Sequence, residues 1–323
     1  MSVCFLMLRL LSYVLRAVCC RRGHRRLIRT NNDLKFDHLE LSPKDIDTVI
    51  DHGGCTDGFG ARFAAMYWFK LHLPAKIVNY YPGSFYSDPP DVKGQNVLFC
   101  DFAYKNPTMK KMIDGANKLI ILDHHVSAKE DLGDIAERNK LFHMGFSGAF
   151  ITWCYFHGKA NVPLLIEYIQ DNDLKTNRLP LVREFAAYSN NMKHEYSTFE
   201  RLLDDDVFMK ELKTKGPILL ANNNVIIQKT IARAKVRVTK IKGVEYKVGY
   251  VNSSTLIPEI GDELINNLDI DFSAVYTIDD VSDSTIFSLR SKHVDVAKIA
   301  EFYGGGGHEK ASGCRINHVC NNL

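Results

Sequence analysis

The stretch Leu119–Leu132, LIILDHHVSAKEDL, runs four apolar residues directly into an acid and two adjacent histidines. A short apolar run of this kind is typical of a strand buried inside a parallel sheet. Ligands of open parallel sheets gather outside the carboxyl ends of the strands. The sequence therefore predicts that Asp123, His124 and His125 stand at a binding or catalytic site.

Short β-branched or apolar runs alternate with longer amphipathic runs from Ile46 onward. This alternation is typical of βαβ units wound around a parallel sheet. We predict strands at 47–51, 75–79, 96–100 and 118–122. Helices are predicted at 57–70, 107–117, 148–157 and 162–171, followed by a helical stretch from 181 towards 212.

The last third of the chain predicts a second, smaller α/β domain. A connecting helix is expected at 218–234, strand pairs at 236–251 and 272–289, and a helix at 294–302. A chain of 323 residues is long enough to bury two separate cores. The predicted organisation is a parallel-sheet catalytic domain over 36–212, a helical linker over 213–235 and a smaller α/β domain over 236–323.

The first 35 residues have a different composition, because seven arginines precede Asp33, the first acid of the chain. This bias predicts a mitochondrial targeting peptide. A signal peptide or anchor is the rival hypothesis, and a disordered basic tail on a cytoplasmic protein is the third. A stable membrane span is not expected, since Arg9 and Arg16 interrupt the apolar run well short of ~20 residues.

Composition excludes some classes of protein. The formal net charge of +3 is too small to predict a nucleic-acid coat, although an anionic substrate fits it. The cysteines form neither a CxxC pair nor a compact framework, which favours a reducing compartment. The eight cysteines are at positions 4, 19, 20, 55, 100, 154, 314 and 320.

The oligomeric state stays open, with a homodimer among the alternatives.

Acidic and histidine residues follow several predicted elements at their ends. Oxygen-rich sites with two imidazoles suit a pair of Mn²⁺ ions better than a thiolate zinc site. Taken singly, each acid would be a helix cap or turn former, and the adjacent histidines would be solvated. Their occurrence at successive element ends favours a metal site. The candidate ligands are His52, Asp57, Asp101, His124 and Asp171.

Five motifs, taken together and in order, carry a resemblance to a known family. They resemble the DHH phosphoesterase superfamily, in the branch with a DHH-associated C-terminal domain. Within it, the first motif is most similar to the oligoribonuclease and cyclic-nucleotide phosphodiesterase group, which has HxxCxDGF there. The motifs are HGGCTDGFGA from His52, FCDF from Phe99, LDHH from Leu122, YIQDNDL from Tyr168 and GGGGHEKASG from Gly304.

The resemblance implies a role for each matched residue. Asp57, Asp101, His124 and Asp171 would bind metal, with Asp101 as the bridging carboxylate and His52 as a further ligand. Asp123 would orient the histidine pair, as carboxylates behind a metal-binding imidazole do. His125 would face the substrate phosphate, because an extended backbone turns it away from His124.

The late glycine-rich segment, Tyr303–Gly313, is implied to bind the substrate and to face the metal site across a cleft. Backbone N–H groups of successive glycines can approach an anion closely, and a histidine can add a charge-assisted bond. Without the other motifs, such a run would indicate only a flexible turn. The candidate substrate residues are Gly305, Gly306, Gly307 and His308.

One residue departs from the pattern of many family members. Cys55 stands where the first aspartate of an Asp-x-Asp-Gly motif would be. A thiolate is a soft ligand and Mn²⁺ prefers oxygen, so this position would be weaker, rebuilt around His52, or selective for another ion. A small buried residue filling a turn is an equally good interpretation. Cys55 is therefore left out of the predicted ligands.

The function expected from sequence is a metal-dependent phosphodiesterase that hydrolyses short oligonucleotides. Two Mn²⁺ ions are the expected cofactors, with Mg²⁺ or Co²⁺ as alternatives. Cyclic mono- or dinucleotide hydrolysis, or dephosphorylation of 3'-phosphoadenosine 5'-phosphate, is the competing activity. A protein that binds nucleotides without turnover is the alternative outside the enzymes. No tract of interleaved basic and aromatic residues indicates a long single-strand groove.

Overall fold

The computed structural model describes residues 34–85, 87–160 and 162–317. The arginine-rich segment expected to be a targeting peptide therefore lies, except for its last two residues, outside the described residues. The chain divides into two compact units. Unit 1 contains the described residues up to Leu179 together with Lys193–Phe208, and unit 2 contains Pro180–Met192 and the described residues from Met209 onward.

Unit 1 is built on a five-stranded parallel sheet, which confirms the predicted α/β class. The strands lie in the order β2-β1-β3-β4-β5, so the carboxyl ends of β1, β3 and β4 are neighbours at one edge. The strands are β1 Thr48–His52, β2 Asn79–Gly83, β3 Asn96–Cys100, β4 Lys118–Asp123 and β5 Lys140–Phe142.

The second strand was predicted at 75–79 and lies instead at Asn79–Gly83. The predicted segment contains Ile77, which is 87% exposed and therefore does not face a core. The observed strand contains Pro82, which a sheet tolerates here because β2 is an edge strand. The three-residue strand β5 was not predicted, and a run this short carries too little periodicity to be detected.

Helices cover the sheet of unit 1. The side chains of Ile50, Phe99 and Ile121 are fully buried in one core cluster of this unit. Helix α4 is apolar all round, and its residues Gly148–Phe156 are all buried. Burying it requires close contact with α1, where a Cβ added at Gly60 would lie 2.9 Å from Ala149 Cβ. The helices are α1 Thr56–His72, α2 Asn106–Gly115, α3 Val126–Asp131, α4 Gly148–His157, α5 Leu164–Asp173 and α7 Tyr196–Leu202, with α6 Val182–Ser189 belonging to unit 2.

Helix α8 runs over Asp205–Ile231. Sequence predicted a break near 212–218, where a linker helix would begin. The structure instead has one continuous helix with Pro217 in its interior. No helix in the described part of the chain is both long enough and apolar enough to cross a membrane.

Unit 2 contains a six-stranded mixed sheet in the order β10-β11-β9-β8-β7-β6. β7 and β8 pair in parallel, and α9 connects them as the crossover that a parallel pair requires. Ile260 and Leu264 of α9 are fully buried, whereas sequence had not predicted this helix. The elements are α6 Val182–Ser189, β6 Lys235–Ile241, β7 Val244–Asn252, α9 Ile257–Asn267, β8 Phe272–Asp279, β9 Ser284–Arg290, α10 Val296–Phe302, β10 Gly306–His308 and β11 Ala311–Asn317.

The glycine-rich segment forms the turn into the hairpin β10–β11. Gly304 has a φ of +76°, and Gly305 N–H donates to the carbonyl of Ala300 at the end of α10. A Cβ at Gly305 would lie 2.1 Å from the Gly313 carbonyl oxygen, whereas a Cβ at Gly306 would meet no atom within 4 Å. Gly305 is therefore needed to let the start of the hairpin approach β11 closely, whether or not the segment binds a ligand.

This contrast makes a prediction for stability. Gly305→Ala should lower the free energy of unfolding by about 1–3 kcal/mol, because overpacking against backbone cannot relax cheaply. Gly306→Ala should change it by less than about 0.5 kcal/mol, as an open surface position does. Urea unfolding followed by circular dichroism compares the two variants. Equal effects would contradict the packing role of Gly305.

Candidate metal centre

Three neighbouring strand ends bring the predicted residues together. His52 ends β1, Asp101 follows β3, and Asp123 ends β4 ahead of His124 and His125. Because β1, β3 and β4 are adjacent in the sheet, these residues meet at its carboxyl edge. Helices α1 and α5 add side chains from Cys55, Asp57 and Asp173, described below.

Asp101 is the residue around which the site is arranged. It is 2% exposed and has a left-handed backbone with a φ of +60°. A Cβ at Gly148 would lie 2.3 Å from Asp101 Cβ, so only glycine at the start of α4 leaves room for this carboxylate. The left-handed turn directs the side chain away from the continuation of β3 and into the site.

One oxygen of Asp101 belongs to a group of donors that we call the thiol cluster, made of His52, Cys55 and Asp101. Asp101 Oδ2 lies 3.7 Å from His52 Nδ1 and 3.5 Å from Cys55 Sγ. Cys55 Sγ lies 3.5 Å from His52 Nδ1. Cys55 is also the N-cap of α1 and accepts a hydrogen bond of 3.1 Å from Gly58 N–H.

The second oxygen of Asp101 adjoins the carboxylate cluster, made of Asp57, His124 and Asp173. His124 Nε2 lies 3.1 Å from Asp101 Oδ1, 3.6 Å from Asp57 Oδ2 and 3.5 Å from Asp173 Oδ2. Asp57 accepts hydrogen bonds from the N–H groups of Gly148 at 2.7 Å and Ala149 at 3.0 Å. It therefore caps α4, while its Oδ2 also faces His124.

The electrostatics of the two clusters call for positive charge. Burial raises the pKa of Asp57 well above its ordinary value, and the charges of Asp101 and Asp173 raise it further. Burial also acts to raise the pKa of Asp101, but hydrogen bonds from His124 and His52 hold it below its usual range. Burial and the nearby Asp101 and Asp57 charges raise the pKa of the Cys55 thiol. A divalent cation is the group that this donor set fits.

Asp123 holds the histidine pair in place. Its Oδ1 accepts hydrogen bonds from His124 N–H at 2.6 Å and from His125 N–H at 3.2 Å, and lies 2.7 Å from His125 Nδ1. The buried Oδ2 has no hydrogen-bond partner within the described parts of the chain. Burial opposes charging of His125, but the hydrogen bond and charge of Asp123 raise its pKa to about 9. The contact with Asp123 therefore favours the charged, imidazolium form of His125.

Asp171 was a predicted metal ligand, and the structure does not bring it to either cluster. It is buried at the end of α5, where its carboxylate accepts hydrogen bonds from Thr176 Oγ1, Arg178 N–H at 3.0 Å and Leu179 N–H at 2.8 Å. It therefore ties down the loop after the helix. Asp173, two residues later, supplies the carboxylate beside His124.

Cys55 and Asp173 thus belong to the clusters, although neither was among the ligands predicted from the sequence. The side chains of Asp171 and Asp173 lie about 200° apart around a helix, so the motif YIQDNDL alone does not tell which one faces the sheet edge. Cys55 carried a sequence signal as the departure from an aspartate, but that signal fits a small buried residue equally well. Both residues are recognised only from the folded positions of their neighbours.

Comparison with known proteins places the chain in a family. No model of a known protein family matches it. The uncharacterized protein R106 of Acanthamoeba polyphaga mimivirus is 31% identical over 288 residues, covering 85% of this chain and 68% of that protein. Oligoribonuclease NrnB of Bacillus subtilis strain 168 is 30% identical over 152 residues, covering 46% of this chain and 35% of the relative. The similarity to these relatives agrees with the five motifs in order and with the clustering of the predicted residues at the strand ends. The chain belongs to the DHH phosphoesterase superfamily.

Solved structures in this comparison include an exonuclease and a phosphodiesterase. Exonuclease RecJ bound to manganese is 12% identical, with a TM-score of 0.49 over 86% of this chain and 87% of RecJ. The pGpG-specific phosphodiesterase PggH from Vibrio cholerae is 12% identical, with a TM-score of 0.46 over 84% of this chain and 93% of PggH.

In this DHH superfamily member, Asp171 and Asp173 form a matched pair for testing the carboxylate cluster. Asp171→Asn should lower the free energy of unfolding by about 2 kcal/mol, because hydrogen bonds to a charged group are lost. It should leave the affinity for Mn²⁺ nearly unchanged. Asp173→Asn should do the reverse, weakening Mn²⁺ binding by about tenfold or more, since even groups behind a ligand change affinity by 10–100-fold.

Isothermal titration with Mn²⁺ measures the affinities, and urea unfolding in excess chelator measures the stabilities. Normal Mn²⁺ affinity in Asp173→Asn together with weakened affinity in Asp171→Asn would reverse the assignment.

Proposed function

We propose that this protein is a metal-dependent phosphodiesterase that hydrolyses short oligonucleotides. The observation that carries the proposal is the position of Asp101, which directs Oδ2 to the thiol cluster and Oδ1 to His124 of the carboxylate cluster. A carboxylate placed in this way would bridge two cations, as the family resemblance implied. Two-metal sites of this kind are typical of enzymes that hydrolyse phosphate esters.

The donor set suits hard or borderline divalent ions. The carboxylate cluster offers oxygen and imidazole ligands, which fit Mn²⁺, with Mg²⁺ or Co²⁺ as alternatives. Bound at the two clusters, the cations would supply an activated water and a clamp on the phosphoryl oxygens. The protein contributes the fixed positions of the ligands, through Gly148 behind Asp101 and the α4 amides behind Asp57.

His125 is the residue that we propose to bind the substrate phosphate. Its side chain is 35% exposed, and Asp123 fixes the ring through Nδ1. In the imidazolium form, the second ring nitrogen, Nε2, would carry a proton that it can donate to a phosphate oxygen. An imidazolium held in this way gives a charge-assisted hydrogen bond, which is about twice as strong as a neutral one.

An aromatic edge next to the thiol cluster supports a nucleotide as substrate. The ring of His52 stacks on Phe102, with centroids 5.8 Å apart and planes at 14°. Phe85 lies 5.0 Å from Phe102 and is 59% exposed. Exposed aromatic rings stack on bases of single-stranded nucleic acids. The partial similarity to an oligoribonuclease agrees with this choice of substrate.

Removal of the shared carboxylate tests the proposal directly. Asp101→Asn keeps the shape and suits the left-handed backbone, which asparagine adopts more readily than most residues. It removes the charge that both clusters share, so turnover should fall by about a hundredfold or more, the scale seen when one electrostatic group of an active site is lost.

The assay uses 5'-labelled oligonucleotides from dimers to 24-mers, cyclic dinucleotides and 3'-phosphoadenosine 5'-phosphate, each with Mn²⁺, Mg²⁺ or Co²⁺. Asp134→Asn, at an exposed surface acid, serves as the matched control. Turnover that persists in Asp101→Asn, or in wild-type protein with excess chelator, would refute a metal-dependent mechanism. Preference for cyclic dinucleotides would refute the oligonucleotide assignment.

The role of the glycine-rich segment in substrate binding remains a prediction from the family resemblance. His308 is exposed on β10, and His308→Ala should lower activity on short oligonucleotides by about ten- to hundredfold, since a bond to a charged group contributes ~1.5–3 kcal/mol. A small chromogenic phosphodiester should be hydrolysed at the wild-type rate. An equal loss on both substrates would instead assign His308 to folding or to the chemical step.

A further inference from the structure

The thiol cluster has the dimensions of a tetrahedral metal site. Cys55 Sγ, His52 Nδ1 and Asp101 Oδ2 form a triangle with edges of 3.5, 3.5 and 3.7 Å. In a tetrahedral zinc-type site, bonds of ~2.3 Å to sulfur and ~2.0–2.2 Å to nitrogen or oxygen place the ligand atoms roughly 3.4–3.6 Å apart. The right angles of an octahedral site would need roughly 2.9–3.1 Å at the same bond lengths. The two edges to sulfur agree with the tetrahedral arrangement, and the N–O edge of 3.7 Å is slightly longer than it requires, so the triangle is nearer to a tetrahedral site than to an octahedral one.

The surroundings of the sulfur also suit a metal-bound thiolate. Cys55 Sγ accepts the Gly58 N–H at the N-terminus of α1, a contact that acts against the larger effects of burial and of the Asp101 and Asp57 charges, which raise the pKa of the thiol. The ring of His52 is held by its stack on Phe102, so its Nδ1 stays directed at the sulfur. Besides accepting the Gly58 N–H, the sulfur donates a hydrogen bond to Asp101 Oδ2 and lies 3.5 Å from His52 Nδ1, so three potential ligand atoms meet at one point.

Solvent or substrate could reach an ion that these three residues would hold. The His52 side chain is 36% exposed and Cys55 is half-buried, whereas Asp101 is buried. Three protein ligands with one open position are typical of catalytic sites, in which the fourth ligand is water or substrate. The carboxylate cluster has no sulfur, so the two clusters offer different ligand chemistry to their ions.

We infer that Cys55 is a thiolate ligand of the metal centre, and that His52, Cys55 and Asp101 form a tetrahedral position selective for Zn²⁺ or Co²⁺ over Mn²⁺. The inference rests on the metal centre of the proposed function and deepens it. Binding forms a sulfur–metal bond and releases the thiol proton to solvent. Soft thiolate ligands favour zinc and related ions, whereas the oxygen-rich carboxylate cluster suits Mn²⁺. The two clusters would therefore bind a mixed pair of ions.

Cobalt provides a readout that is independent of turnover. Full-length protein is titrated with Co²⁺ under reducing, anaerobic conditions, and the near-ultraviolet sulfur-to-cobalt charge-transfer band is recorded. The wild type should show this band, and Cys55→Ser and Cys55→Asp should lose it. Serine and aspartate are both good N-caps, so the start of α1 is preserved in either variant. Cys314→Ser, at a free cysteine of unit 2, should retain the band.

Competition between metals provides the second measurement. Cys55→Asp should shift the ratio of Co²⁺ to Mn²⁺ affinity towards Mn²⁺ by about tenfold or more, because altering even a group behind a ligand changes affinity by 10–100-fold. An unchanged ratio would overturn the inference, as would a wild type without the band or a band that survives in both Cys55 variants. Circular dichroism confirms that each variant is folded.

The two proposals fail in different ways. Phosphodiester hydrolysis by a protein that binds Co²⁺ without a thiolate band would overturn the role of Cys55 and leave the proposed function intact. A cysteine-dependent band in a protein that hydrolyses none of the tested phosphodiesters would support the role of Cys55 and refute the proposed function.

Discussion

The buried carboxylate of Asp101 is the constraint on which the rest of the site depends. Its left-handed backbone directs it out of the strand, and the missing side chain at Gly148 leaves space for it. Each of its oxygens then faces a different group of donors. The parallel sheet brings His52 and His124 to its two sides, because β1 and β4 flank β3. A carboxylate fixed between two imidazoles in this way stays charged although it is buried.

Charge balance explains why so many acids can lie close together here. Asp57 is buried beside other carboxylates and is compensated only in part, by the amides at the start of α4 and by His124. Burial raises the pKa of Asp173, with Asp101 adding to the effect and His124 opposing it. Such an arrangement costs free energy in the absence of cations. This cost is confined to the carboxyl edge of the sheet, where the donors of both clusters meet.

Much of this arrangement could be predicted from the sequence, and the failures have physical causes. The α/β class, three strands of the parallel sheet and the convergence of His52, Asp57, Asp101 and His124 follow from apolar runs that end in polar residues. The choice between Asp171 and Asp173 depends on the rotation of α5 about its axis, which a local motif does not specify. The second strand was predicted too early in the chain, because Ile77, although apolar, is exposed to solvent. The sequence predicts which strands and helices meet at the sheet edge. It predicts less reliably which side chain of each element faces that edge.

The donors come from segments that are far apart in the chain, from His52 to Asp173, and only the folded sheet assembles them. An unfolded chain has no such chelating group, so ion binding selects the native state. By mass action, a free ion at 100 times its dissociation constant would add about 2.7 kcal/mol to the stability of unit 1. The supply of metal in the surroundings would thereby set how long the protein survives proteolysis as well as how fast it works.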